Sequence, residues 1–293
     1  MTVLPFGRVQ TAMVTPFTLD GSLNLDETRR LAAHLIDDQG NDVLVINGTT
    51  GESPTTSDAE KRVILEAVIS EVGDRADIIA GVGTFDTRHT IELAKQAEQA
   101  GADGLLVVTP YYSRPPQDAL ADHFLTVAES TTVPIMIYDI PHRAGIAVET
   151  ATMIQIAAHP NIVAVKDAKG SPVASAEVIA ATDLAYYSGD DGMTLPLLAV
   201  GGVGVVGTST HFTGRRTREM IEAFVGGEVA RATALNAALL PVYVGVFATQ
   251  GCMLVKAGLA ARGHAPGPVR KPLLNASPDE TAAFLAILAA CGF

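Results

Sequence analysis

The chain has 293 residues, of which 48% are hydrophobic, and a formal net charge of −12. This length and apolar content suit one large α/β domain, and the acidic charge argues against nucleic acid or an anionic membrane as a partner. Two cysteines without CxxC spacing disfavour a disulfide framework or a zinc site. Residues 1–7 contain no basic segment followed by an apolar core, so we expect no signal peptide and a reducing cytoplasm.

Strand-like apolar runs alternate with amphipathic segments along most of the chain. Ser57 and Glu60 predict a capping box at the start of one helix, and Thr87 is predicted to cap the next. The predicted helices between strands include 58–72, 87–100, 117–130 and 149–158. The predicted strands are 9–14, 42–46, 77–82, 103–108, 134–138, 162–166, 184–188 and 203–206.

Eight such βα units with continuously apolar strands predict an α/β fold, a closed (β/α)8 TIM barrel. An open doubly wound sheet is the alternative, although no GxGxxG follows the first strand. We expect the barrel to occupy residues 1–225, with a C-terminal helical appendage, 226–293, packed on it. The uncharged stretch 192–210 contains Pro196 and suits a short helix, a turn and a strand better than a membrane span. The uncharged stretch 232–255 contains Pro241 and is predicted to be helix buried within the protein or in a subunit contact.

Lys166 ends the apolar run 162–166 and is the most informative residue of the chain. Burial lowers the pKa of an amine, and a neutral amine attacks carbonyl carbons to give a Schiff base. The alternative is a structural lysine whose amine reaches solvent.

In a barrel of this type the active site lies at the carboxyl ends of the strands. Each polar residue found there also has a structural interpretation, as a turn, a packing aromatic, a solvated charge or a helix cap. Together they suit carbonyl chemistry, with an amine nucleophile, hydroxyls that relay protons, and N–H groups that hold carboxylates. The residues at these strand ends are Thr49, Thr50, Tyr111, Tyr112, Tyr138, Arg143, Lys166, Gly189, Asp190 and Asp191.

Five stretches, spread in order along the barrel, resemble motifs of one known family. That family comprises dihydrodipicolinate synthases and N-acetylneuraminate lyases, the pyruvate-dependent class I aldolases. The stretches are 48–53 (GTTGES), 108–112 (VTPYY), 138–145 (YDIPHRAG), 165–170 (VKDAKG) and 188–191 (SGDD).

The resemblance implies a catalytic role for four side chains. Lys166 forms the Schiff base with pyruvate, so no separate cofactor is expected. Thr50, Tyr138 and Tyr112 form a proton relay, and Tyr112 comes from a neighbouring subunit. Thr49 and Thr50 also hold the pyruvate carboxylate.

The resemblance also implies how the second substrate binds and how subunits assemble. Arg143 receives the carboxylate of aspartate semialdehyde, and Gly189 and Val206 shape the pocket through their backbone. Tyr111 interlocks subunits at a tight dimer interface. The family is usually a homotetramer, a dimer of dimers.

Three functions remain open at this point. The first is condensation of pyruvate with aspartate semialdehyde in lysine and diaminopimelate biosynthesis, which Arg143 favours. The second is a retro-aldol lyase for a sugar acid or another 2-keto acid, and the third is a keto-acid-binding barrel without turnover. A phosphate-binding barrel is disfavoured because Asp190 and Asp191 follow Gly189. No metal is expected, since HxH and HExxH are absent. His142 and His211 are expected to be neutral surface histidines, the alternative being that they line the mouth of the barrel.

Two departures from the family pattern carry expectations of their own. Asp139 stands where asparagine is common, and the segment 207–211 is unusual. Many family members are inhibited by lysine bound near the second strand, where Phe85 here replaces an asparagine and His89 a glutamate. Asp58 and Lys61 stand where histidines are common. Because Phe85 cannot bond a carboxylate, we expect lysine neither to bind nor to inhibit, unless Asp86 takes over its ammonium group.

Overall fold

The eight predicted strands form a closed parallel barrel in a computed structural model that describes residues 4–293. The expectation for residues 1–7 therefore lies partly outside the described residues. Each strand pairs with its neighbour in chain order, and β1 closes on β8. The TIM-barrel prediction is thus confirmed, and the open-sheet alternative is wrong. The strands are β1 (Val9–Ala12), β2 (Val43–Ile46), β3 (Asp77–Gly81), β4 (Gly104–Val108), β5 (Ile135–Asp139), β6 (Ile162–Asp167), β7 (Ala185–Ser188) and β8 (Gly204–Gly207).

Helices surround the barrel and continue beyond it. The Ser57–Glu60 capping box is confirmed, but Asp86 and not Thr87 caps the third helix, because the Asp86 carboxylate accepts the Arg88 amide. The helices are α1 (Leu25–Ala33), α2 (Asp58–Val72), α3 (Thr87–Ala100), α4 (Gln117–Glu129), α5 (Pro141–Ala144), α6 (Thr150–Ile156), α7 (Pro172–Ala181), α8 (Thr194–Ala199), α9 (Thr210–Val225), α10 (Val229–Gly245), α11 (Gly251–Ala260) and α12 (Pro278–Ala290).

Two apolar layers follow from the period of two along each strand. One set of side chains fills the barrel interior, with Tyr138 on β5 and Tyr187 on β7 among its members. The alternate set packs outward against the helices. In the register of the sheet, Tyr138 and Tyr187 pair with Lys166 from either side, which brings these three residues to one level.

The last three helices, α10 to α12, pack on the barrel. Phe284 of α12 lies edge-on to Phe212 of α9, with ring centroids 5.8 Å apart. The uncharged stretch 232–255 supplies most of α10 and the first half of α11. No helix in the described part of the chain, residues 4–293, is long and apolar enough to cross a membrane.

Candidate active site

Lys166 lies at the carboxyl end of β6 with its amine inside the barrel. Only 5% of the residue is exposed, and its Nζ is 4.3 Å from the centroid of the Tyr138 ring. Burial lowers the pKa of Lys166 to about 8, the charge of Asp191 opposes this, and the charge of Arg143 adds to it. Relative to an ordinary lysine, the neutral amine is enriched by about two orders of magnitude at neutral pH. The geometry therefore supplies a nucleophilic amine.

Tyr138 provides a buried phenol beside this amine. Burial raises the pKa of Tyr138 to about 12, although the charge of Arg143 and a hydrogen bond with the Thr49 side chain work in the other direction. The phenol is protonated at neutral pH and is placed to donate a proton.

The two threonines after β2 point to different partners. Thr49 contacts the Tyr138 hydroxyl, whereas the Thr50 Oγ1 lies 3.3 Å from the Thr208 Oγ1. Of the two, Thr49 is therefore the threonine beside the Tyr138 phenol, and Thr50, which was expected in the proton relay, has the Thr208 hydroxyl as its partner. Thr50 still borders the same cavity.

A buried ion pair holds the turn that carries these threonines. Glu52 has a left-handed backbone, with φ 58°, and only 3% of the residue is exposed. Its carboxylate accepts the Lys256 Nζ at 2.6 Å and the Arg270 amide at 2.7 Å. The C-terminal helices thus fix the β2 turn. Sequence reasoning missed this pair, although Lys256 is the single charged residue of α11.

The paired aspartates after β7 have separate roles. Asp190 is exposed and caps the short turn that follows, accepting the Gly192 amide at 2.9 Å. Asp191 is buried and accepts the amides of Thr208 and Ser209, which open α9. Barrels that bind phosphate use such a helix N-terminus after the last strands. Here the carboxylate of Asp191 already fills it, which argues against the phosphate-binding alternative.

Gly189 lines the cavity next to the lysine. A Cβ added at this position would lie 3.1 Å from the Lys166 Cγ and 3.2 Å from the Asp167 carbonyl oxygen. Glycine therefore leaves room for the lysine side chain. Val206 is buried within β8 and does not border the cavity, whereas Thr208, two residues later, does. The sequence analysis did not identify Thr208 as a site residue. The one feature that could have indicated it is a hydroxyl group within the unusual segment 207–211.

His211 is buried, so its expected place at the surface is wrong. Its Nδ1 lies 2.8 Å from the Thr208 carbonyl oxygen, and its Nε2 accepts the Val14 amide. Burial lowers the pKa of His211 to about 4, which keeps the ring neutral. His142 is exposed and borders the cavity. Across residues 4–293 there is no group of three or more histidine, cysteine or acidic side chains that could hold a metal ion.

The cavity above Lys166 has a volume of about 520 Å³. Arg143 stands at its mouth on the short helix α5, and its Nη2 donates to the Gln250 Oε1 at 2.9 Å. Val244 and Phe247 of the C-terminal region form an apolar wall of the same cavity. An amine on the floor and a guanidinium at the mouth suit a substrate that carries both a carbonyl group and a carboxylate.

The two adjacent tyrosines after β4 do not reach this cavity. Tyr112 is 94% exposed and has a left-handed backbone, with φ 72°, and Tyr111 lies edge-on to Phe85 at 5.5 Å. Both border a second cavity of about 400 Å³, which shares Tyr138 and Arg143 with the first. Within one chain the structure therefore does not bring Tyr112 to Lys166.

Lys169 is directed away from the cavity. Its Nζ lies 3.0 Å from the buried carboxylate of Asp139 and donates to the Val148 carbonyl oxygen. Asp139 and Asp167 pair in the register of the sheet, one residue beyond Tyr138 and Lys166. Asp139, where asparagine is common, is thus accommodated by an ion pair with Lys169.

The residues expected at a regulatory lysine site have other partners. Phe85 is 62% exposed, and the His89 Nε2 lies 2.8 Å from the Asp58 carboxylate. The Lys61 amine donates to the Thr56 carbonyl oxygen, and Asp86 already accepts the amide that begins α3. One carboxylate oxygen of Asp86, the residue that would have to receive an ammonium group, is thus used to cap α3.

Comparison with known proteins places this geometry in a family. The model of the dihydrodipicolinate synthetase family matches residues 5–291. The chain belongs to that family. It is 60% identical over 289 residues to a 4-hydroxy-tetrahydrodipicolinate synthase of Acidothermus cellulolyticus, covering 99% of this chain and 94% of the relative.

Solved structures of family members have the same fold. Dihydrodipicolinate synthase of Bacillus anthracis superposes with a TM-score of 0.95 at 39% identity, covering 98% of this chain and 99% of that one. The enzyme of Cyanidioschyzon merolae, solved with lysine bound, gives 0.97 at 38% identity and 99% coverage of both chains. Both similarities extend through the C-terminal helices, so the appendage is part of the shared fold.

Proposed function

We propose that the protein is a 4-hydroxy-tetrahydrodipicolinate synthase of lysine and diaminopimelate biosynthesis, which condenses pyruvate with L-aspartate 4-semialdehyde. The observation that carries this proposal is the pairing of Lys166 with Tyr138 below a cationic mouth. Lys166 has a pKa lowered to about 8, and the Tyr138 phenol is protonated at neutral pH. Family membership and the names of relatives at up to 60% identity support it.

The first half of the reaction uses the amine and the phenol. The Lys166 Nζ attacks C2 of pyruvate, and the resulting hydroxyl leaves as water after taking a proton from Tyr138, which gives the imine. The Tyr138 phenolate then takes a proton from C3, which yields the enamine. No further cofactor takes part. We assign Thr49, which hydrogen-bonds Tyr138, to the return of the proton, and we assign Thr50 and the surrounding amides to the pyruvate carboxylate.

The second half joins the aldehyde. The enamine carbon attacks C4 of aspartate semialdehyde, and the new alkoxide takes a proton from the Tyr138 phenol. The substrate amine then attacks the imine carbon, so that the ring closes and Lys166 is released. Arg143 at the mouth binds the aldehyde carboxylate through a charge-assisted hydrogen bond. Gly189 leaves room for the Lys166 side chain, and Thr208, two residues beyond Val206, lines the pocket.

In this proposal, the association of subunits supplies Tyr112 to the proton relay. Tyr112 is 94% exposed in a left-handed conformation, beside a second cavity that Tyr138 also borders. A side chain held in this way suits insertion into a neighbouring subunit, with Tyr111 at the same contact. We propose a homotetramer built as a dimer of dimers, in which Tyr112 completes the site of its neighbour. We place the enzyme in the cytoplasm, since Cys252 and Cys291 are both free.

Pyruvate consumption tests the substrate assignment. Purified protein is incubated with pyruvate and either aspartate semialdehyde or a neutral sugar aldehyde, and turnover is followed with each. We expect turnover with aspartate semialdehyde and little with the neutral aldehyde. A preference for the sugar aldehyde, or cleavage of a sugar acid to pyruvate, would instead identify the retro-aldol lyase.

A further inference from the structure

Arg143 presents its guanidinium group at the mouth of the cavity. Among the described residues 4–293, no carboxylate lies within ion-pair distance of its guanidinium group, and its side-chain partner is the amide oxygen of Gln250 at 2.9 Å. The charge of Arg143 reaches the floor of the cavity, since it contributes to lowering the pKa of Lys166.

Gln250 comes from the C-terminal region, 107 residues away along the chain. It occupies the N-cap position of α11, but its side chain makes no capping hydrogen bond and remains available to Arg143. The next residue, Gly251, is closely packed: an added Cβ would lie 3.0 Å from the Phe247 ring and 3.1 Å from the Thr208 Cγ2. The backbone that presents Gln250 is therefore packed against Phe247, in the turn after α10, and against the loop after β8.

A neutral amide and a carboxylate would act differently at this position. Both accept a hydrogen bond from a guanidinium group and so orient it. A carboxylate would also neutralise the charge and compete with an incoming carboxylate, whereas an amide leaves the charge and the other N–H donors free. The Gln250 amide can therefore orient the guanidinium group of Arg143 without competing with a substrate carboxylate for its other N–H donors.

We propose that Gln250 is a positioning residue for substrate selection: it holds Arg143 over the cavity as a cation that no protein carboxylate neutralises, so that the site selects an aldehyde bearing a carboxylate. This rests on the proposed function, because it assigns the cation at the mouth to the second substrate. It gives the C-terminal region a direct part in specificity.

Two substitutions separate orientation from charge. Gln250→Glu retains the hydrogen bond but introduces a carboxylate next to Arg143, and Gln250→Met retains the approximate length but removes the acceptor. The control is Gln99→Glu, which makes the same charge change at an exposed position of α3 that does not border the cavity. Thermal melting of all three variants checks that they fold.

Steady-state kinetics with each substrate varied in turn gives the main readout. For Gln250→Glu we expect the KM for aspartate semialdehyde to rise about 10- to 100-fold, while that for pyruvate stays within about twofold. For Gln250→Met a smaller rise, about three- to tenfold, is expected, since the charge remains but its placement is lost. Gln99→Glu should match the wild type.

The pH dependence of pyruvate imine formation gives a second readout that a purely structural role would not move. Gln250→Glu places a negative charge near Lys166 and should shift the midpoint of imine formation to higher pH, whereas Gln250→Met and Gln99→Glu should not. If the wild type turns over aspartate semialdehyde but both Gln250 variants keep its KM, the inference is wrong. An equal rise in KM for a neutral aldehyde would also overturn it. Absence of turnover in the wild type would instead overturn the proposed function.

Discussion

Tyr138→Phe separates the chemistry of the phenol from its packing. The substitution removes one hydroxyl and retains the ring that lies 4.3 Å from the Lys166 amine, so the burial that lowers the pKa of Lys166 persists. What is lost is the proton donor, which is protonated at neutral pH because burial raises the pKa of Tyr138 to about 12. General acid–base catalysis typically contributes about 10²- to 10⁴-fold, and turnover should fall within that range.

The assay compares kcat with the pH midpoint of imine formation. We expect kcat to fall while the midpoint stays near the pKa of Lys166, about 8. Tyr187→Phe is a matched control, since the Tyr187 hydroxyl donates to the Gly7 carbonyl oxygen and does not border the cavity. That change should lower stability by about 1 kcal/mol and leave kcat within about twofold. A Tyr138→Phe variant with near wild-type kcat would refute the relay.

Three further predictions concern substrate choice, the C-terminal clamp and regulation. Arg143→Ala should raise the KM for aspartate semialdehyde about 10- to 150-fold, since a charge-assisted hydrogen bond is worth roughly 1.5–3 kcal/mol. The KM for a neutral aldehyde should change far less. An equal rise in KM for both aldehydes would mean that Arg143 only supports its loop. Lys256→Met should lower the free energy of unfolding by about 3–5 kcal/mol, because Glu52 is left buried and unpaired, and adding Glu52→Gln should recover part of that loss in denaturant titrations. Lysine titrated into the turnover assay should not inhibit at sub-millimolar concentrations, because Phe85 offers no hydrogen bond and His89 is tied to another side chain; strong inhibition there would contradict this reasoning.

The sequence allowed the barrel and the position of Lys166 to be predicted because each depends on local pattern. Eight apolar runs at regular spacing define the strands, and a lysine at the end of one of them stands out. The sequence could not show which of Thr49 and Thr50 contacts Tyr138. This depends on the backbone torsions of a turn in which Glu52 adopts a left-handed conformation.

Contacts between distant parts of the chain were also beyond reach. The Glu52–Lys256 pair joins residues 204 apart, and the Arg143–Gln250 hydrogen bond joins residues 107 apart. In neither pair do the residue types indicate, from the sequence alone, which two residues are in contact. His211 illustrates the same limit, because its ring accepts the amide of Val14, a residue that only the closed barrel brings within reach.

Borohydride trapping with pyruvate, followed by intact-mass measurement and peptide mapping, tests the central claim most directly. Lys166 is buried with its pKa lowered to about 8, whereas the Lys169 amine is tied to Asp139 at 3.0 Å outside the cavity. We predict a single reduced pyruvate adduct on Lys166, whose yield rises with pH through about 8 as the amine loses its proton. An adduct mapped to Lys169, or no adduct in the native protein, would contradict the assignment of Lys166 as the nucleophile.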